Sequence, residues 1–233
     1  MLFAAAALSD WAQNQGLRHQ GLLVKRPFHG KWDSLQSEID SAINTRFSTR
    51  FGPEPSLHKR VLNDGRSSLT TQLPACVDEM LATASLPAPL SKQIRADALS
   101  IGKTLAFICP SARALDVKLE VFGEVTCSRW HRDHYVGRAI VSYTGITGTE
   151  YTSEENVDLD KLRRFNQRFA EEMASSSDDP VDIGNEGIIK EPDKVKSVEV
   201  GDILLMKGTH LHRQIAPRTD VFLPVWLATD RPR

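Results

Sequence analysis

Apolar residues in the first half of the chain recur at intervals of three and four positions, the period of an amphipathic helix. One such stripe lies between Ser91 and Pro110. Its apolar members are Ile94, Ala98, Ile101, Leu105 and Ile108. A shorter stripe covers residues 32–47 and begins with the residue spacing of a capping box. Proline and glycine separate these segments, so we predict that residues 1–110 form a helical N-terminal part.

After Pro110 the period shortens to two, which is typical of β-strands. Apolar and charged residues alternate from Leu115 to Val121, which predicts a half-buried strand. Further strand-like segments cover residues 125–133, 138–144, 197–200, 203–207, 210–215 and 221–228. An amphipathic helix from Asp158 to Met173 and a loop from Ser175 to Lys196 interrupt them, and the Gly201-Asp202 pair predicts a hairpin turn. A loop of that length is a candidate active-site lid.

Short strands joined by tight turns, without alternating helices, favour an antiparallel sandwich or jelly roll over a parallel sheet. We therefore expect a mainly β fold with a helical N-terminal part. Residues 111–233 are predicted to form a double-stranded β-helix of the cupin-like type, with an inserted helix and loop at residues 153–197. Residues 1–110 should pack on the outside of this barrel.

The composition of the chain narrows the class of protein. Its 233 residues carry 29 Lys plus Arg and 30 Asp plus Glu, and no basic block, which argues against a nucleic-acid partner. No apolar run approaches the roughly 20 residues of a membrane span, and the apolar start lacks the positive region of a signal peptide. Cys76, Cys109 and Cys127 show no C-x-x-C spacing and fit a reducing compartment. We expect a cytoplasmic protein without a membrane or nucleic-acid partner; its oligomeric state stays open.

The candidate chemistry is concentrated in two short segments. His131 and Asp133 are two residues apart, so in a strand they share one face, where an imidazole and a carboxylate can bind the same metal. A third ligand is available from His210 or His212, of which we expect one to ligate. Two histidines and one carboxylate on one side of a metal form the facial triad of non-heme Fe(II) oxygenases. The H-x-D pair alone is common by chance, so the hypothesis depends on the downstream histidines and the β context.

The order of these residues resembles the Fe(II)/2-oxoglutarate-dependent oxygenases. More narrowly, the chain is similar to an uncharacterised domain-of-unknown-function family of proposed oxygenases. That similarity lies in residues 127–134, 138–143, 148–150, 201–208 and 212–213. The resemblance implies Fe(II) and 2-oxoglutarate as cofactors, and His131, Asp133 and His212 as the catalytic metal ligands. It also implies that dioxygen is used to oxidise an unactivated C–H bond of a small-molecule substrate, by hydroxylation, desaturation or ring closure.

The resemblance further implies a basic residue that binds the distal carboxylate of 2-oxoglutarate. In the superfamily this residue commonly lies on the last strand, but the segment 221–227 contains none. Arg218, six residues after His212, is the nearest and our first choice. Arg138, on the strand that follows the H-x-D pair, is the second.

Two other functions stay open on the sequence. One is a cupin-like metal-dependent dioxygenase or isomerase that does not use 2-oxoglutarate, which the missing basic residue on the last strand favours. The other is a non-catalytic metal-binding or sensor module. Formation of succinate from 2-oxoglutarate with added Fe(II) separates the first reading from both alternatives.

Overall fold

The structure is a computed structural model. It describes residues 2–5, 21–26, 28, 31–46, 56–62, 66–120, 130–132, 135–145, 149–175, 187–207, 211–214 and 224–229. Its α-helices are α1 (Gln36–Arg46), α2 (Arg66–Ala84), α3 (Ala88–Ile108) and α4 (Leu159–Ser175). Its strands are β1 (Leu2–Ala5), β2 (Gly21–Val24), β3 (Ser56–Leu62), β4 (Ala114–Glu120), β5 (His131–Arg132), β6 (Gly137–Ser142), β7 (Thr149–Thr152), β8 (Lys196–Ser197), β9 (Ile203–Lys207), β10 (Leu211–Gln214) and β11 (Pro224–Thr229).

These strands form two sheets. The larger has the order β1-β2-β9-β6-β11-β4-β3 and the smaller has the order β5-β10-β7-β8. All pairings are antiparallel except the one between β1 and β2. From β4 onward the chain passes back and forth between the two sheets, which is the connectivity of a jelly roll. The predicted antiparallel arrangement of two sheets is therefore present in the described part of the chain.

The predicted mainly β class is not confirmed, because the described chain is a mixture of helix and sheet. The four α-helices have 11, 19, 21 and 17 residues and together outnumber the residues in strands. The segment 1–110 is also not purely helical, because β1, β2 and β3 lie in it. β2 pairs with β9, and β3 pairs with β4, so both extend the larger sheet.

The main core lies between the helices and one face of the larger sheet. The apolar stripe predicted for α3 is buried there together with residues from β4 and β6. Members from the sheet include Leu115, Val117, Leu119, Ala139 and Val141. α3 begins at Ala88, directly after Pro87, rather than at Ser91. Proline is favourable at the start of a helix, because the first N–H groups of a helix have no hydrogen-bond partner within it and the N–H that proline lacks is not needed there.

The prediction that β4 is half-buried was wrong. Asp116 and Glu120 are only 6 % and 5 % exposed, because their side of the strand faces the interior between the sheets. Buried carboxylates need compensating partners. Nε2 of His58 lies 3.1 Å from Oδ1 of Asp116, and Nζ of Lys118 lies 3.8 Å from Oε1 of Glu120.

The prediction of a hairpin turn at Gly201 and Asp202 was wrong. It joins β8 of the smaller sheet to β9 of the larger sheet, so it carries the chain from one sheet to the other. The fully buried Asp202 accepts backbone N–H bonds from Arg26 and Glu199 and pairs with Nζ of Lys25 at 2.8 Å. None of the described helices is long and apolar enough to cross a membrane.

Candidate functional site

The inner faces of the two sheets meet in a small apolar cluster. It contains Leu23, Ile140, Val198, Leu204 and Met206, and the side chain of Tyr151 from β7 packs against it. Burial there raises the pKa of Tyr151 to about 12. The Tyr151 side of the smaller sheet therefore faces the larger sheet.

His131 and His212 are direct neighbours on the smaller sheet. His212 of β10 lies opposite His131 of β5 on one side and opposite Tyr151 of β7 on the other. Residues directly opposite one another share a face, and their Cβ atoms are roughly 4.5–5.5 Å apart. Both histidine positions consequently lie on the inner face, at a separation that suits two ligands of one metal.

A second, smaller hydrophobic core covers the outer side of the smaller sheet. Trp130, which directly precedes His131, is buried against Leu162 and Phe165 of α4. Successive residues of an extended chain alternate in direction, so the buried Trp130 turns His131 toward the inner face.

The segment 187–196 is attached to the same outer side. The buried Nδ2 of Asn156 donates to Oγ1 of Thr152 and to the carbonyl oxygen of Glu191, both at 2.9 Å. Its Oδ1 accepts the N–H of Glu191 at 2.8 Å. Ile188 joins the core around Trp130. This half of the predicted loop is therefore a clamp on the outer side rather than a lid over the inner face, and residues 176–186 lie outside the described part.

Arg138 is buried on the inner face of the larger sheet. It is 1 % exposed, lies opposite Met206 of β9 and Ala228 of β11, and shares its face with Ile140. Its Cζ is 6.0 Å from the ring centroid of Tyr135. A guanidinium in such a position suits a carboxylate ligand, because its planar fork matches two oxygens.

Three inner-face residues were not among the site residues predicted from the sequence, although Thr149 lies in the segment 148–150 that carries the family resemblance. His58 lies in the segment 1–110, which the sequence predicts to be helical, but in the structure it is on β3 beside Asp116. Burial and the negative charges of Asp116 and Glu120 raise the pKa of Tyr135, which places its ring near both carboxylates. Thr149 begins β7 and is 1 % exposed. These residues come together through strand pairing between distant segments, which local patterns do not encode.

Three of the predicted site residues, Asp133, His210 and Arg218, lie outside the described residues. In the part of the chain that is described, no three His, Cys, Asp or Glu residues form a metal-binding group. That part brings together two of the predicted ligands, His131 and His212, and adds Arg138 on the facing sheet.

Comparison with known proteins gave one family and a set of structures. A family model described as a protein of unknown function (DUF1826) matches residues 39–217. A dioxygenase for auxin oxidation from Arabidopsis thaliana, in its binary complex with 2-oxoglutarate, is 11 % identical, with coverage of 100 % of this chain and 92 % of its own and a TM-score of 0.48. The corresponding rice enzyme is 10 % identical, with coverage of 100 % and 83 % and a TM-score of 0.46. A prolyl-4-hydroxylase from Pseudomonas putida is 9 % identical, with coverage of 97 % and 100 % and a TM-score of 0.41. No curated protein sequence matches the chain.

Proposed function

The chain belongs to the DUF1826 family of proteins of unknown function, and from its own residues we propose that it is a non-heme Fe(II)- and 2-oxoglutarate-dependent oxygenase. The observation that carries the proposal is the pairing of His131 with His212 on the inner face of the smaller sheet. The eight strands from β4 to β11 would then form the double-stranded β-helix around the metal.

The donor set fits Fe(II). Two imidazoles would come from His131 and His212 of the adjacent strands β5 and β10. Asp133 is the proposed third ligand, because it follows His131 at the spacing that places two residues on one face of a strand. Two nitrogens and one oxygen on one side of an Fe(II) ion would leave coordination positions open for a cosubstrate and dioxygen. His212 is preferred to His210 because its position in β10 is directly opposite His131.

The buried guanidinium of Arg138 on the larger sheet fits a carboxylate-bearing cosubstrate. Arg138 is held on the inner face, on the strand that lies beside β11. Arg218 is the alternative anchor from the sequence. A dianion between apolar walls such as Ile140 and Leu204 needs a compensating cation. We propose that one of these two arginines binds the distal carboxylate of 2-oxoglutarate.

The bound iron and 2-oxoglutarate supply the oxidising power for an unactivated C–H bond of a small-molecule substrate. The chain orients the reactants and keeps water out. The inner-face cluster around Ile140 and Leu204 lines the interior with apolar side chains. The outer core around Trp130 fixes the strand that carries His131.

Succinate formation tests this function without knowledge of the substrate. Purified protein supplied with Fe(II), 2-oxoglutarate and air should release succinate above the level of a protein-free control. His131→Ala should abolish this release. Glu150→Ala is the matched control, because Glu150 lies next to Tyr151 on β7 but on the opposite face, and it should retain the activity.

Other results point to other functions. Metal binding with no succinate favours a cupin-like dioxygenase or isomerase that works without 2-oxoglutarate, or a non-catalytic metal-binding module. Equal succinate release from the parent protein and His131→Ala would contradict the assigned site.

A further inference from the structure

Asp116 carries a buried carboxylate that faces the space between the two sheets. The residue is 6 % exposed. Its Oδ1 lies 3.1 Å from Nε2 of His58 and 3.8 Å from Nη1 of Arg60, and Oδ2 has no such contact in the part of the chain that the structure describes. Each oxygen of a carboxylate can accept hydrogen bonds, and burial of a negative charge is costly unless an opposite charge compensates it. The second oxygen of Asp116 can therefore accept from a further donor.

The two cations beside Asp116 lie at the edge of the larger sheet. His58 and Arg60 belong to the edge strand β3, and their side chains are 46 % and 49 % exposed, whereas the side chain of Asp116 is 8 % exposed. Water and salt screen exposed charges, and an ion pair with a half-exposed arginine at 3.8 Å is weak. The buried charge of Asp116 is therefore compensated only in part by its own strand neighbours.

Strand pairing places Asp116 in one row with Arg138 across the larger sheet. Both residues are opposite Ala228 of β11, Asp116 from β4 and Arg138 from β6. Residues directly opposite one another share a face, so this inner-face row carries a buried carboxylate, an alanine and a buried guanidinium in sequence. Neighbouring strands are about 4.8 Å apart, so the backbones at Asp116 and Arg138 are about 10 Å apart. Alanine adds little bulk between them, and a small molecule fits between two opposite charges at that separation.

We propose that Asp116 binds the positively charged group of a small-molecule substrate, which is an amine or a guanidine. The inference rests on the proposed function, in which Arg138 is one of the two candidate anchors for the cosubstrate. A cationic substrate at Asp116 and an anionic cosubstrate then lie side by side on the inner face.

Tyr135 adds an aromatic ring beside this row. Its centroid is 6.0 Å from Cζ of Arg138. Burial and the negative charges of Asp116 and Glu120 raise the pKa of its phenol, which shows that the ring is also close to the carboxylates. The face of an aromatic ring attracts organic cations. The ring therefore favours the same kind of ligand as the carboxylate.

Four probes with the same alkyl chain and different head groups test the charge preference. They are n-butylammonium, n-butylguanidinium, 1-butanol and butyrate, and their binding is measured by ligand-observed NMR. The full chain is used both without metal and with Zn²⁺ and 2-oxoglutarate, because zinc has no redox chemistry. The two cations should bind more tightly than 1-butanol and butyrate. Asp116→Asn keeps the shape and an acceptor for His58 but removes the charge, so it should weaken binding of both cations by about tenfold or more.

Asp97→Asn is the matched control. Asp97 is also a buried carboxylate, but it lies on α3, on the helix-covered side of the larger sheet. It accepts from Nη1 of Arg26 and from the hydroxyl of Tyr143, both at 2.7 Å. Asp97→Asn should lower the melting temperature, because it weakens these bonds, and should leave the affinities of all four probes unchanged.

Two results would overturn the inference. Equal binding of the cations by Asp116→Asn and the parent would leave Asp116 as a structural partner of β3 only. Tighter binding of butyrate than of the cations would assign this surface to an anionic ligand. Failure of the proposed function gives a different pattern: the parent does not bind 2-oxoglutarate with metal, but the metal-free parent still binds the cations and Asp116→Asn binds them more weakly. The cation site then stands without a role in an oxygenase.

Discussion

Trp130 and His131 are adjacent residues that lie on opposite faces of the smaller sheet. The indole is buried against α4 on the outer side of the smaller sheet, and the next residue is thereby directed to the inner face. Alternation is a local property, so the sequence was sufficient to predict that Trp130 and His131 lie on opposite faces of the strand; that the face of His131 binds a metal stays a proposal. The choice of His212 over His210 stays a proposal, which the position of His212 in β10, directly opposite His131, supports.

The choice between the two downstream histidines is testable by metal binding. His212→Ala should abolish stoichiometric binding of Co²⁺ or Fe(II), because it removes one of three ligands, and it should leave the melting temperature of the metal-free protein nearly unchanged. His210→Ala should bind metal like the parent. Loss of binding in His210→Ala with normal binding in His212→Ala would reverse the assignment.

The anchor for the distal carboxylate is tested by the two arginines in parallel. A charge-assisted hydrogen bond is typically worth about 1.5–3 kcal/mol, so its loss should raise the apparent KM for 2-oxoglutarate by roughly 10- to 150-fold. We expect this rise in Arg218→Ala or in Arg138→Ala, with Fe(II) affinity little changed. Circular dichroism of Arg138→Ala serves as a folding check, since that side chain is buried. A normal KM in both variants would mean that another residue anchors the carboxylate, and no turnover of 2-oxoglutarate by the parent protein would argue for the alternatives that do not use it.

Other inner-face residues could not be found from the sequence. His58 and Tyr135 carry no local pattern that marks them, and Thr149 lies in the segment 148–150 of the family resemblance without a predicted role. His58 meets Asp116 only because β3 pairs with β4 across 58 positions of chain. Contacts of this kind depend on sheet order, which hydrophobic periodicity does not contain.

At the scale of single elements, periodicity succeeded where a segment was long or strongly alternating. α3, α4, β4, β6 and β9 were all predicted close to their observed bounds. β2 has four residues, all of them buried, so neither period is visible in it. It belongs to the larger sheet because it pairs with β9, and this pairing cannot be predicted from the four residues of β2 alone.

The turn between β8 and β9 imposes a specific requirement on one residue. Gly201 has φ = +88°, and a Cβ atom there would overlap the side chain of Phe28. Gly201→Ala should destabilise the protein by about 3 kcal/mol or more, because backbone strain and overlap add. Gly187→Ala is the control: φ is +72°, but the nearest atom is the flexible Nζ of Lys161 at 3.1 Å, so a cost of roughly 1–2 kcal/mol is expected. Equal urea midpoints for the two variants would contradict the crowding at Gly201.

The clamp over the smaller sheet depends on Asn156. Asn156→Ala removes three hydrogen bonds, one to the hydroxyl of Thr152 and two to the backbone of Glu191. We expect a loss of about 1–3 kcal/mol in the free energy of unfolding, measured in urea. Ser153→Ala, at an exposed neighbouring position, should change it by less than about 0.5 kcal/mol. Similar losses in both variants would mean that the side chain of Asn156 does not hold the clamp.

At the scale of the whole molecule, the tyrosines report on the packing of both sheet faces. Tyr135, Tyr143 and Tyr151 are the only three in the chain. Burial is the first cause of a raised pKa in each, and Asp97, whose Oδ2 accepts from the hydroxyl of Tyr143 at 2.7 Å, adds to it there. The folded state holds these protons more tightly than the unfolded state. Their contribution to stability is therefore complete below the ordinary pKa of about 10 and is lost as the pH rises through the raised values.

Absorbance of tyrosinate follows this directly. At pH 10.5 the native protein should contain much less tyrosinate than the same protein in urea, and Tyr151→Phe should remove a transition near pH 12. Identical titration curves for native and unfolded protein would contradict the burial of the tyrosines.

Anaerobic calorimetry tests directly whether the inner-face histidines hold a metal that binds 2-oxoglutarate. Titration of 2-oxoglutarate into the parent protein with Fe(II) should give saturable binding near one molecule per chain. Without metal, or in His131→Ala with Fe(II), the heat of binding should vanish. Binding of equal strength with and without Fe(II), or undiminished binding in His131→Ala, would contradict the account.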